Sequence, residues 1–124
     1  MESDWKNFVR NYKKELAVLI VFASLVGIFY GNTLWNGFIH DDHGQVEQNV
    51  YIQKLEYWPK ILTGCTWEAA LGDCKVASYY RPIHSLSYLL TYQISSKPWV
   101  FHLVNLVYFL ASVFLTFILV RLLT

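Results

Sequence analysis

Charge is what this chain of 124 residues has least of: 15% of it is Asp, Glu, Lys or Arg, against roughly 25% in a soluble globular domain. The basic and acidic residues nearly cancel, leaving a formal net charge of +1. No basic patch is therefore available to displace counterions from a phosphate backbone, which excludes nucleic acid as a partner. A cleavable leader is also lacking. The first apolar run is too long for the core of a signal peptide and ends in Gly31-Asn32-Thr33-Leu34-Trp35, with no small-residue cleavage site. Internal repeats and low-complexity tracts are absent. Only two cysteines occur, and their spacing to the histidines matches no usual zinc pattern, so no metal ligand set and no cofactor is expected. Nothing supports a divalent metal requirement.

What remains is 55% hydrophobic and 18% aromatic, and the apolar residues concentrate in two uncharged runs. The first covers 16–35, about 20 residues and so enough to cross the hydrocarbon core as a helix. The second begins at Pro98 and is closed by Arg121. The fold class read from this pattern is an all-α integral membrane protein. Two transmembrane helices are joined by a long extracytoplasmic loop that carries amphipathic interfacial helices. Its parts are a cytoplasmic N-terminus (1–15), transmembrane helix 1 (16–35), the loop with its acidic motif and juxtamembrane helices (36–97), transmembrane helix 2 (98–121) and a truncated end (122–124). Lys6, Arg10, Lys13 and Lys14 precede the first run and Arg121 closes the second. Both cues keep the N-terminus inside and place the loop outside. Tyr30, Trp35 and Trp99 mark the outer interface. A multi-pass protein of the prokaryotic plasma membrane or the endoplasmic reticulum is implied. The chain stops at Leu122-Leu123-Thr124 without a polar tail, as a fragment of a longer protein would.

Two helix-like segments are expected inside the loop. One covers 50–62, interrupted at Trp58-Pro59 because the residue before proline disfavours helix, and closed by Gly64 as a C′ residue. The other covers 82–95, with Ile83, Leu86, Leu90 and Ile94 on one stripe at helical spacing. Its opposite face carries Ser85, Ser87, Tyr88, Tyr92 and Gln93, a pattern that fits a helix lying in the interface plane. Ser95-Ser96-Lys97-Pro98 reads as the start of the second span, with a capping serine and a proline in the first turn. Cys65 and Cys74 fall in the extracytoplasmic loop, a compartment that permits a disulfide. A bridge there would contribute about 2–3 kcal/mol, mostly through the unfolded state; two free thiols are the alternative.

Chemistry is concentrated at two places. In His40-Asp41-Asp42-His43 two carboxylates stand together where an apolar run ends. They are either a solvated or capping pair, or one of them is a general base or a metal ligand, since neighbouring carboxylates resist ionising together. Adjacent residues in an extended segment point to opposite sides, so one of the two would face a substrate. In Tyr79-Tyr80-Arg81-Pro82, Arg81 stands just before a helix N-terminus and offers a bidentate donor suited to phosphate. Its plainer roles are snorkelling at the interface or pairing with Asp41 or Asp42. His84 joins this site or faces lipid headgroups. His102 and Asn105 share a helix face near the outer end of the second span, where interhelical hydrogen bonding is the natural role of Asn105. The absence of charge elsewhere in that span argues against a proton relay or a transporter subunit.

Taken in order, Asn36-Gly37-Phe38-Ile39-His40-Asp41-Asp42, Asn49, Trp58-Pro59-Lys60-Ile61-Leu62, Ser78-Tyr79-Tyr80-Arg81-Pro82-Ile83 and Pro98-Trp99-Val100-Phe101-His102-Leu103-Val104-Asn105 resemble a known family. It is the N-terminal part of polytopic glycosyltransferases of the C-type fold, in particular the O-mannosyltransferases with transmembrane helices and tetratricopeptide repeats, and their bacterial relatives. The resemblance implies a sugar, mannose-like, transferred from a polyprenyl- or dolichyl-phosphate donor to a Ser or Thr hydroxyl of an acceptor polypeptide. It implies Asp41 or Asp42 as catalytic base, Arg81 as a holder of the lipid phosphate with His84 and His102 as further substrate-binding candidates, and membrane lipid around the site. It also implies that further C-terminal transmembrane helices, and any repeats, complete the enzyme, and that the fragment alone is inactive. His43 after the acidic pair departs from the pattern. The competing reading is a non-enzymatic two-span protein whose external loop binds a partner through Trp58, Tyr79 or Tyr80.

Overall fold

The structure, a computed structural model, describes residues 2–72, 74 and 79–123, with the backbone alone for 2–12. Ser78, in one of the resembling motifs, the side chains of Lys6 and Arg10, and Thr124 lie outside that description. Every regular element among the described residues is helical. In order they are α1 (Glu2–Tyr30), a 3-10 segment (Gly31–Trp35), a π-helical turn (His43–Glu47), two 3-10 turns (Val50–Ile52 and Leu55–Tyr57), α2 (Trp58–Thr63), α3 (Glu68–Leu71), α4 (Pro82–Ile94) and α5 (Pro98–Leu123). Two stretches, Lys13–Trp35 and Pro98–Leu123, are long and apolar enough to cross a bilayer, with mean hydropathy 2.0 and 2.5.

The chain divides into two compact units, 1–33 with 105–124 and 34–104. In the first, α1 lies beside α5. Phe22 meets Phe117 edge-on at 6.1 Å and Tyr30 meets Phe109 at 5.5 Å, while Glu15 is paired with Arg121. Partners climb along one helix as they descend along the other, so the two run antiparallel. The hydroxyls of Ser24, Ser112 and Thr116 each donate to the carbonyl one turn back in their own helix. These three hydroxyls are thereby satisfied within their own helices. Ile28, Phe29, Leu115 and Leu119 are exposed, as apolar contact with lipid or with further helices allows. Asn105 is exposed as well and hydrogen-bonds to no described residue, so the interhelical bond expected of it is not formed within this unit.

The second unit is a small knot of short helices around Val46, Ile52, Ile61, Leu89 and Phe101. Helix α2 and the turn at 50–52 pack on α4. Asn49 fixes the turns: its Nδ2 donates to the Gln45 carbonyl at 3.1 Å and its Oδ1 accepts from the Tyr51 N–H at 3.0 Å. Gln93 Nε2 reaches from α4 to the carbonyls of Ile52 and Gln53, and Tyr80 donates to the Leu62 carbonyl at 2.7 Å.

Several local expectations are corrected. The segment 50–62 is two 3-10 turns followed by a short α-helix, with Pro59 in the first turn of α2. Gly64 ends α2 with an extended backbone, φ −90° and ψ 176°, not a left-handed one. What requires glycine there is room, since a Cβ would stand 2.9 Å from the Lys60 carbonyl. Helix α4 falls at its expected place, with Ile83, Leu90 and Ile94 of its apolar stripe exposed. Ser85, Leu89 and Thr91 are buried, and Ile83 is 76% exposed. Ser95 closes α4, and its hydroxyl accepts from the Lys97 N–H at 3.2 Å. The serine thus bridges the two helices rather than capping the second.

Candidate functional site

The acidic pair sits at a reversal. His40 adopts a left-handed backbone, φ 45°, a conformation that costs a non-glycine residue free energy and is worth noting beside candidate catalytic groups. From there the chain enters a helical turn: the N–H of Asp42 donates to the Ile39 carbonyl at 3.0 Å, and that of His43 to His40 at 3.3 Å. Asp41 and Asp42 are therefore helical, not extended. Their roles divide for a different reason. The Asp42 Oδ2 accepts from the Ile39 N–H at 3.2 Å and closes the turn on itself, whereas the Asp41 carboxylate is exposed. His43 Nδ1 lies 2.6 Å from Glu47 Oε2, on the same helical turn.

Asp41 lines an open cleft of about 450 Å³ together with Gln45, Trp67, Leu71, Tyr79 and Arg81. The turn brings Gln45 one helical step beyond Asp41. The Cys65–Cys74 disulfide, with Cα atoms 5.7 Å apart, closes the loop that carries Trp67 and Leu71, and Thr66 donates its N–H to the Tyr79 carbonyl at 2.9 Å. Gly72, with φ 72°, ends α3 in the left-handed conformation that reverses the chain inside that loop. Both cysteine sulfurs lie near Glu68, and Cys74 Sγ is 3.7 Å from Glu68 Oε2. The bridge consumes both thiolates that a metal would need. Arg81 stands at the N-cap position of α4 without a side-chain capping bond and places its guanidinium 5.2 Å from the Tyr79 ring centre, a cation–π contact. Asp41 and Arg81 share the cleft without being joined as an ion pair, so both charges remain available to a ligand.

Behind the cleft, α4 carries Arg81, His84 and Tyr88 at helical spacing. The His84 ring lies 4.3 Å from that of Tyr88, which meets Phe101 at 5.6 Å. Burial first, and then the charge of Arg81, hold the His84 pKa below that of a free imidazole. Burial, reinforced by Asp42 and Asp41, pushes the Tyr88 phenol upward, so it remains a neutral donor near the carboxylates. His84 Nδ1 and His102 Nε2 are buried without hydrogen-bond partners. Of the residues singled out in the sequence, Asp41 and Arg81 line the cleft. Asp42 neighbours Asp41, and His84 contacts Tyr88; neither is among the lining residues. His102 lies on α5 and is not among the lining residues. Sequence reasoning missed Gln45, Trp67 and Tyr88 as members of this neighbourhood. Tyr88 could have been found from its place one turn beyond His84 and two beyond Arg81. Gln45 and Trp67 carry no such local signal.

Comparison with curated proteins adds an independent finding. Over 100 residues the chain is 32% identical to the protein O-mannosyl-transferase Tmtc2 of Drosophila melanogaster, covering 78% of this chain and 11% of that protein. Over 109 residues it is 30% identical to Tmtc1 of the same fly, covering 87% and 13%, and over 96 residues it is 29% identical to mouse TMTC3, covering 77% and 10%. The chain is close in sequence to the TMTC protein O-mannosyl-transferases. It spans about a tenth of the length of the TMTC relatives it matches. No family model matches the chain, and no solved structure matches it. The TMTC similarity thus stands beside the geometry of the cleft as a separate line of evidence.

Proposed function

We propose that this segment forms part of a membrane glycosyltransferase that moves a mannose-like sugar from a polyprenyl- or dolichyl-phosphate donor to a Ser or Thr hydroxyl. The observation that carries the reading is the presence of a carboxylate, Asp41, and a guanidinium, Arg81, on one open cleft without an ion pair between them, in a chain close to O-mannosyl-transferases. Asp41 accepts the proton of the acceptor hydroxyl as its oxygen bonds to the anomeric carbon. The carbon–oxygen bond to the lipid phosphate breaks, and the phosphate leaves with the bonding pair, its charge held by Arg81. His84, kept neutral, supplies a hydrogen-bonding group behind Arg81, while Asp42 holds the turn that presents Asp41. His102 stands apart from the cleft and is assigned to contact with the rest of the enzyme. We place the N-terminus in the cytoplasm and 36–97 on the other side of the membrane, in the lumen of the endoplasmic reticulum, in keeping with the animal sources of the relatives.

The test is transfer from mannosyl-phosphoryl dolichol to an acceptor peptide in membranes carrying the full-length protein to which this segment belongs. Asp41→Asn is expected to lower turnover at least 100-fold, in the range of a lost general base. Arg81→Ala is expected to raise the donor KM. Unchanged transfer in both Asp41→Asn and Asp42→Asn would remove the proposal.

A further inference from the structure

Gln45 is a polar side chain that the fold buries and leaves unengaged. It is 6% exposed, its carboxamide makes no hydrogen bond to a described residue, and it lines the cleft one helical step beyond Asp41. An amide on a largely buried side chain that stays open to a cleft is placed to exchange water for the polar groups of a ligand. Beside it, the six-membered edge of the Trp67 indole rests on Gly44. A Cβ there would stand 2.5 Å from Cζ3 and 3.2 Å from Cε3 of Trp67. The indole is thus fixed against a residue with no side chain, between the turn that carries Asp41 and the disulfide loop, and it also faces the cleft.

We infer that this cleft binds the pyranose ring of the transferred sugar, with Trp67 as its stacking surface and Gln45 as the group that reads its hydroxyls. A pyranose has a face of C–H groups that packs on an aromatic ring and an edge of vicinal hydroxyls that both donate and accept. A carboxamide presents one acceptor and two donors, the complement of such an edge. Arg81, at the same cleft, takes the phosphate to which the sugar is attached, and Asp41 lies where the acceptor hydroxyl must arrive. An acceptor peptide would instead seek a strand edge or an elongated groove with side-chain pockets. The volume of about 450 Å³ and the mixed aromatic, amide and charged lining suit one compact polar ring. The inference rests on the transferase reading for the lipid carrier, but not for the recognition of the ring.

The experiment measures binding to the protein in lipid nanodiscs of two probes, a short-chain polyprenyl-phosphate mannose and the same polyprenyl phosphate without sugar. Peptide transfer is assayed in parallel. The wild type is expected to prefer the sugar-bearing lipid by at least tenfold. Gln45→Met, which keeps the volume but removes the amide, and Trp67→Leu are each expected to cut that preference by about tenfold, the worth of one good contact. Affinity for the bare lipid phosphate should stay unchanged, which also shows that the variants fold. A wild type that does not discriminate between the probes overturns the inference, as do variants that keep full preference. Variants that lose affinity for both probes equally, or whose only change is a higher KM for the peptide, overturn it too. Sugar discrimination that depends on Gln45 and Trp67 but comes without transfer sustains the inference and removes the transferase reading. Transfer in variants with unaltered discrimination does the reverse.

Discussion

A methyl group placed on Gly44 would stand 2.5 Å from Cζ3 of Trp67 and 3.4 Å from Cβ of Ala70. The indole cannot yield without leaving the wall of the cleft, so Gly44→Ala is expected to destabilise the unit by about 1–3 kcal/mol. Thermal unfolding measures the loss, and a shifted Trp67 emission, compared against Trp67→Phe, reports the displaced ring. At the same scale, His84 titrates below the free imidazole value of 6.5 because it is partly buried and beside Arg81. Below that pH the unfolded chain binds a proton that the folded one resists, so stability present above pH 6.5 is lost as the pH falls through the depressed pKa. Thermal midpoints between pH 7.5 and 5 should fall less steeply for His84→Asn than for the wild type, and NMR should place the His84 midpoint under that of an exposed histidine. Asp42 shows a residue role that no composition reveals: it and Asp41 are chemically identical neighbours, yet one is engaged by the Ile39 N–H and the other is not.

At the scale of elements, α4 is the instructive case. Its limits were legible, because Pro82 offers a first-turn residue and Ser95 a stop. Which face turns inward was not. Ile83, Leu90 and Ile94 form the apolar stripe of an interfacial helix and are exposed, while Leu89 with Ser85 and Thr91 faces the core. The period of 3.6 offers two defensible faces, and only the position of α2 and of the turn at 50–52 selects between them. Hence Leu89→Ala, which empties a fully buried site, is expected to cost about 2–5 kcal/mol, as is Ile52→Ala. Ile83→Ala should cost well under 1 kcal/mol in detergent solution. Equal losses at positions 83 and 89, measured by chemical denaturation, would reverse the assignment of faces. The same dependence on neighbours explains 50–62, where propensity suggested one interrupted helix and the chain instead takes two 3-10 turns to wrap Ile52 inward.

For the whole molecule, the two helices long and apolar enough to cross a membrane carry the proposed topology. The proposed sidedness is checked by replacing both native cysteines with serine and introducing single thiols. A membrane-impermeant maleimide added to sealed cells or microsomes should distinguish Lys14→Cys from Asn36→Cys, both at exposed positions, with 14 labelled only from the cytoplasmic face and 36 only from the opposite one. Labelling of both from one face would invert the proposal. That two helices are long and apolar enough to cross a bilayer was legible in the sequence alone, because an uncharged run of that length satisfies its own backbone hydrogen bonds as a helix. The sequence likewise determined that carboxylates and an arginine lie between the spans. Their meeting was decided only by the tertiary structure. Asp41 with Gln45, Trp67 and Arg81 lie far apart in the chain, and no local pattern links the three places. They share a cleft because the disulfide loop folds back on Gly44 and α4 packs on Ile52. Long-range packing has no signature in local periodicity, and so the site could be suspected from its residues but assembled only by the fold.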